Sequence, residues 1–204
     1  MYSLAVKGEQ LQRMPYIEML KENNARRGFF ERDQFEAVRA YLPEYAQPAA
    51  TFAYLTGWRL KSEILTLQWR QVDFKAGVVT LDVGSTKNCD GRTFPMIPEL
   101  RALLEAQRAT TDALQKKISA IVPWVFHRTK RGRQLKGFTK SWRAACLTAG
   151  LPGRIPHDFR RTAVRNLERA GVPRSTAMAM VGHRTESIAT RSSTRSCSTR
   201  AARS

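Results

Sequence analysis

Pro156-His157-Asp158-Phe159-Arg160-Arg161-Thr162-Ala163 is the stretch on which the reading of this chain turns. Pro156 fixes the approach to a helix expected from His157 to Ala170, closed by Gly171. The spacing of three places the His157 imidazole and the Arg160 guanidinium on one face of its first turn, where free backbone N–H groups also favour an anion. Both side chains can then converge on one phosphate. A lone His-x-x-Arg is weak, since chance produces it often. Its weight here comes from the helix end Leu167-Glu168-Arg169-Ala170-Gly171-Val172-Pro173, from a further helix that Pro173 can open at its first position, and from Gly182-His183 at that helix's end.

Working upstream, Phe30, Phe35, Val38 and Tyr41 recur at near-helical spacing until Pro43, which predicts a helix with those four residues on its buried face. A second helix is expected from about Pro48 to Leu55, ending at Gly57, a residue suited to the left-handed cap. It delivers the chain to Thr56-Gly57-Trp58-Arg59, and Ile64, Leu65, Leu67 and Trp69 then bury another short helix. After it the period changes. Val72-Asp73-Phe74, a Lys75-Ala76-Gly77 turn, Val78-Val79-Thr80-Leu81 and Arg92-Thr93-Phe94-Pro95-Met96 read as a three-stranded antiparallel meander, with Lys87 on the approach to the Asn88-Cys89-Asp90-Gly91 turn. Helical pattern resumes at Pro98 and extends through Lys117, with Leu100, Leu103 and Leu104 on one face. Val122 to Phe126 is a short apolar segment, Lys130-Arg131-Gly132-Arg133 a basic loop, and Phe138 to Thr148 another helix. The class is mainly α with a small antiparallel sheet, an α+β domain.

The chain of 204 residues is long enough for one core, and 42% of it is hydrophobic. Its net charge of +18 is spread along the sequence. Four arginines (Arg191, Arg195, Arg200, Arg203) lie in the last sixteen residues, yet the remainder stays strongly basic without them. A polyanion is the natural partner, above all nucleic acid. Cys89, Cys146 and Cys197 are odd in number and far apart, which indicates neither a disulfide framework nor a zinc ribbon. His127, His157 and His183 show no ligand spacing, so no metal is expected. No apolar run approaches the ~20 residues of a membrane span and the N-terminus lacks a secretory layout, so the expectation is a soluble, intracellular protein not associated with a membrane.

Splitting a phosphodiester without a metal requires cations on the non-bridging oxygens, an acid for the leaving 5′ oxygen and a nucleophile in line. Arginine suits the first task because its planar fork can bind two phosphate oxygens. Arg59 and Arg160 are the candidates, although either alone reads as a surface arginine or a structural ion pair. Lys87 alone reads as a solvated turn residue, and His183 as a helix-end residue with no role. A hairpin lysine can equally deliver a proton to a leaving alkoxide, and a histidine after Gly182 can hydrogen-bond a phosphate. A basic RNA-binding protein would account for the charge but not for this ordered set.

Taken together these segments resemble the catalytic domain of the tyrosine recombinases, the phage integrase family of site-specific DNA recombinases. Thr56-Gly57-Trp58-Arg59 with Ser62-Glu63-Ile64-Leu65-x-Leu67-x-Trp69 is similar to the family's first arginine box. Thr86-Lys87 matches the hairpin lysine, Pro156 to Ala163 the second box, and Val181-Gly182-His183 the third, so that the resemblance covers residues 29–188. It implies a helical domain with a small sheet that clamps double-stranded DNA beside other recombinase protomers and needs no cofactor. It also implies that Arg59, Arg160 and His183 hold the scissile phosphate, that Lys87 is the general acid and that His157 assists as acid or base. The setting would be DNA integration by a mobile element.

Three departures accompany the likeness. Glu63 stands four residues after Arg59, one more than the family's spacing, which implies a shifted helix register. Residues 1–28 read as a lead-in, a remnant of the linker to an N-terminal DNA-binding domain. No tyrosine occurs after Tyr54, although the family's nucleophile should follow His183 by roughly one to three helical turns. Ser192 stands near the expected place, and an aliphatic alcohol ionises far less readily than a phenol. Binding of duplex DNA without cleavage is the expectation for a chain that resembles a site-specific recombinase of DNA integration, and the alternative is a non-catalytic DNA-binding remnant of an integrase. Residues 189–204 consist of Ser, Thr, Arg, Ala and Cys alone, and are expected to be a disordered, aberrant tail. Their composition is what GC-rich codons yield out of frame. A permitted back-translation beginning at the third base of codon 189 encodes a tyrosine followed by an apolar and acidic run.

Overall fold

The computed structural model describes residues 29–82 and 91–182. Helices α1 (Arg32–Ala40) and α2 (Gln47–Thr56) are followed by a π-helical turn (Leu60–Ile64) and a short 3₁₀ turn (Trp69–Gln71). The sheet comes next, with β1 (Val72–Asp73), β2 (Val78–Leu81) and β3 (Arg92–Pro95), and then the long helix α3 (Pro98–Ile118). Helix α4 (Thr139–Thr148), a 3₁₀ turn (Pro156–Asp158), α5 (Phe159–Arg169) and α6 (Arg174–Val181) complete the described chain. The class read from the sequence is observed: mainly helical with one small antiparallel sheet.

The sheet is a meander in the order β1-β2-β3, with Val79 opposite both Val72 and Phe94, and Leu81 opposite Arg92. Strict alternation sets its faces, so Val79, Leu81 and Phe94 are buried while Thr80 and Thr93 face outward. The first turn closes because Asp73 Oδ1 accepts from the backbone N–H of Lys75 (2.9 Å) and Ala76 (2.8 Å). The apolar stretch at Val122 to Phe126 extends this region without becoming a strand. Val125 N–H donates to Leu67 O (3.0 Å) and Trp69 N–H to Pro123 O (2.9 Å), while Gln107 of α3 reaches Val125 O (2.9 Å).

The core is aromatic where it supports the second box. Phe159 opens α5 and is met by Phe30 at 4.9 Å between ring centroids, Trp142 of α4 at 5.3 Å, Phe35 of α1 at 5.5 Å and Tyr54 of α2 at 5.7 Å. Edge-on packing of this kind adds to area burial and admits few orientations. Four segments of the chain therefore pin Phe159, the residue before Arg160. Thr162 adds a polar tie, its Oγ1 accepting from Phe30 N–H (3.0 Å) and donating to Asp158 O (3.1 Å).

Several local expectations are corrected. Tyr41 was expected on the buried face of α1 but is 57% exposed. Steps of three residues turn through about 300°, so each slips about 60° and Tyr41 ends about 120° away from Phe35. The segment around Ile64 is no regular helix but a π turn followed by a 3₁₀ turn, with Ile64, Leu65 and Leu67 buried and Trp69 only half-buried. Helix α5 is entered through a 3₁₀ turn that holds His157, and Pro173 caps α6 from outside where a first helical residue was expected. The lead-in, Lys87, the second hairpin turn, His183 and the tail lie outside the described residues, and so do Cys89 and Cys197. Among the described residues no helix is long and apolar enough to cross a membrane, and no cluster of metal-ligating side chains occurs.

Candidate anion-binding site

The site begins where α2 stops. Gly57 caps the helix in the left-handed conformation at φ 65°, and its N–H donates to Ala53 O (2.9 Å). A Cβ at this position would lie 2.7 Å from Ala163 Cβ, 2.9 Å from Val181 Cγ1 and 3.3 Å from Arg160 Cα. Glycine is therefore required twice, by the backbone angle and by the approach of α5 and α6. Trp58 follows into the core and donates from its indole N–H to Met180 O (2.9 Å), tying the first box to α6. The chain then turns outward at Arg59.

Between Arg59 and Glu63 the backbone widens by one residue. Ile64 N–H donates to Arg59 O (3.1 Å) and Leu65 N–H to Leu60 O (2.9 Å), both five residues back. A π turn of this kind accommodates one extra residue inside a helix without displacing the residues beyond it. The shifted register expected from the Arg59–Glu63 spacing is thereby absorbed locally. Glu63 returns to Arg59, accepting from its backbone N–H (2.7 Å) and from Nη1 (2.9 Å).

The Glu63 side chain is fully buried, and a second guanidinium shares its Oε1: Arg92 Nη2 lies 2.8 Å away. Arg92 opens β3 and spans the site, its Nη1 donating to Val181 O (2.8 Å) at the end of α6. Arg92 had no role assigned from the sequence, and Glu63 was legible only as the glutamate of the first box. A signal for Arg92 was present, because in β3 it stands two residues from buried Phe94 and so on the same, inward face. A cation on an apolar face needs a buried partner.

Arg160 is 4% exposed and donates to Gly57 O (Nη1, 3.4 Å) and to Gly182 O (Nη2). Burial, and then the nearby Arg59 cation, pull its pKa down to about 10, with Glu63 opposing them. The guanidinium still carries its charge at neutral pH. His157 stands exposed at the rim, and partial desolvation of its ring followed by the Arg160 cation holds its pKa below the ordinary value. Its imidazole is therefore neutral at pH 7. Asp158, one residue on, is buried and accepts from Ile155 N–H (3.1 Å) to secure the turn that carries His157.

Arg59, His157 and Arg160 line one open cavity of about 420 Å³, together with Gly57, Trp58 and Thr139. Three of the five residues selected from the sequence thus meet in space, and Lys87 and His183 are the two outside the described residues. Among the described residues, positive charge is in excess at this place, since Arg59 and Arg92 both pair with Glu63 and the Arg160 guanidinium lies close enough to both arginines to feel their charge. Chemically the arrangement is suited to an anion.

Comparison with known proteins agrees with this fold. The model of the phage integrase family matches residues 29–194. The integrase of Salmonella phage P22 is 27% identical over 188 residues, covering 85% of this chain and 45% of that protein, so the chain spans about half the length of this relative. Among solved structures, the Tn1549 transposon integrase in complex with a circular intermediate DNA superposes with a TM-score of 0.66 at 16% identity, over 89% of this chain and 67% of that one. A lambda integrase dimer bound to a COC' core site gives 0.66 at 15% identity, over 96% and 72%. The catalytic domain of bacteriophage HP1 integrase gives 0.53 at 21% identity, over 77% and 81%.

Proposed function

The chain belongs to the phage integrase family, and from that premise we propose that it binds duplex DNA and seats one backbone phosphate in the cavity of Arg59, His157 and Arg160. The observation that carries this reading is the excess of positive charge: Arg59 and Arg92 pair with one buried carboxylate, Arg160 lies within its field on two backbone carbonyls, and Arg59 and Arg160 open with His157 onto the same space. Burial and then the Arg59 cation depress the Arg160 pKa, and an anion entering there offsets both by giving the two guanidiniums a shared counter-charge. A phosphodiester supplies that anion with two non-bridging oxygens, which the planar guanidinium forks of Arg59 and Arg160 match.

The roles follow from the chemistry of strand cleavage. Arg59 and Arg160, joined by His183, hold the phosphate and stabilise the charge that builds as the phosphorus becomes five-coordinate. Lys87 protonates the leaving 5′ oxygen. His157, neutral at pH 7, can accept a proton from the incoming nucleophile or hydrogen-bond a phosphate oxygen. The nucleophile is the missing part, since the sequence contains no tyrosine after Tyr54. Tyr54 itself is buried in the aromatic core, stacked on Phe35 at 4.2 Å. The chain by itself therefore binds DNA without cutting it, and recombination requires a tyrosine from elsewhere, such as another recombinase protomer on the same DNA.

Two measurements test this reading. Duplex DNA titrated against the protein should bind with an affinity that falls with salt by a slope of about −0.9 per neutralised phosphate, and Arg160→Ala should weaken it. An affinity indifferent to ionic strength would count against a DNA-facing cavity. On a nicked substrate that traps a phosphotyrosyl link, the unmodified chain should give no covalent adduct. Replacing the tail by its tyrosine-containing alternative frame should produce an adduct that Arg160→Ala abolishes. An adduct from the unmodified chain would overturn the binding-only reading and make Ser192 the first nucleophile to examine.

A further inference from the structure

Arg92 is not among the residues that line the cavity, yet its position decides what Arg59 is free to do. We infer that Arg92 is a positioning residue: it is the standing counter-ion of Glu63, and by holding that carboxylate it releases Arg59 to the phosphate. The inference deepens the proposed function and rests on its phosphate site.

Glu63 has two oxygens and three donors. Oε2 is taken by Arg59 N–H at 2.7 Å, and Oε1 is shared between Arg59 Nη1 at 2.9 Å and Arg92 Nη2 at 2.8 Å. The two guanidiniums are not equivalent. The Arg92 side chain is 9% exposed and is held at its other end by Val181 O, so it has nowhere to turn. The Arg59 side chain is 26% exposed and lines the cavity. When Arg59 swings to an anion, Glu63 keeps the Arg59 backbone N–H and the Arg92 guanidinium, and no buried charge is left without a partner. Without Arg92 the same motion would strand a fully buried carboxylate on a single backbone N–H. That cost would hold Arg59 on Glu63 and keep it from the ligand.

The three-residue geometry depends on the π turn, which brings Glu63 back to Arg59 across the extra residue, and on the sheet register, which lifts Arg92 opposite Leu81 and into the site. Arg92 also touches the last carbonyl before the Gly182 cap, whose own carbonyl accepts from Arg160. One side chain thus joins the sheet, the first box and the end of α6.

The test measures what Arg59 contributes to affinity for a fluorescent duplex, as the ratio between each protein and its Arg59→Ala partner, in four backgrounds. In the unaltered chain Arg59→Ala should weaken binding by about tenfold, a size typical of one charged contact. In Arg92→Gln the ratio should collapse toward one, because Arg59 is then locked on Glu63. In Arg92→Gln with Glu63→Gln it should return, because a neutral partner no longer holds Arg59. A merely structural Arg92 would instead make that double variant worse. Arg92→Lys, which keeps the counter-charge, should retain the full ratio and serves where Arg92→Gln fails to fold by circular dichroism; its loss there would overturn the inference. An unchanged ratio in Arg92→Gln would overturn the inference alone. A ratio of one in the unaltered chain would remove the phosphate site, and this role of Arg92 with it.

Discussion

Replacing Gly57 by alanine separates two reasons for a glycine at the end of α2. At φ 65° an alanine adopts the left-handed conformation at a cost of about 1–2 kcal/mol. Its Cβ would also meet Ala163 Cβ at 2.7 Å, Val181 Cγ1 at 2.9 Å and the Arg160 backbone at 3.3 Å, so α5 and α6 must both give way. Overpacking of that kind costs a further ~1–3 kcal/mol. Gly150 provides the control, since its φ is 70° and an added Cβ there meets nothing within 4 Å. Gly150→Ala should show the backbone cost alone, and the gain in stability from a less flexible unfolded chain cancels between the two. Urea unfolding should place Gly57→Ala lower than Gly150→Ala by about 1–3 kcal/mol, or about 2–12 °C in melting temperature for a chain of this size. Because the Gly57 carbonyl accepts from Arg160, the same variant should also weaken binding to duplex DNA. Equal losses for the two substitutions would refute the interlock of α2 with α5 and α6.

Deleting exposed Lys61 should convert the π turn to an ordinary helical turn and leave the melting temperature within a few degrees, whereas deleting buried Ala50 from α2 should unfold the protein; unfolding by the Lys61 deletion would show that the extra residue is required by the fold. His127 is buried, with Nε2 2.9 Å from Thr111 Oγ1, and burial holds its pKa below the ordinary 6.5. The unfolded chain therefore binds the proton more readily, so stability is complete above about pH 6.5 and declines as pH falls below it. Urea midpoints measured from pH 7.5 to 5 should follow this sign, with a shallower fall in His127→Gln; a midpoint that rises on acidification would contradict it. Nucleotide sequencing around codon 188 should reveal a tyrosine codon in an alternative frame within about fifteen positions, judged by the reach of a few helical turns, and none there would end the frameshift reading.

The sequence by itself determined the punctuation of the fold. Pro48, Gly57, Pro98 and Gly182 mark helix ends within a residue or two of where they occur, because a missing N–H or a left-handed backbone acts on the chain locally. The alternation in Val78–Leu81 and the Lys75-Ala76-Gly77 turn likewise disclosed the meander. His157 and Arg160 were legible as a pair for the same reason, three residues apart at one helix start. Their meeting with Arg59, across 101 residues of chain from Arg160, was legible only through the resemblance. Tertiary structure alone decided that Glu63 returns to Arg59 through a π turn, that Trp58 is tied to Met180, and that Arg92 and Arg59 share one carboxylate. Each of these is a contact between distant segments or a local distortion that such contacts maintain, so its energy depends on how the aromatic core around Phe159 sets α5 against α2 and not on the residues beside it in the chain.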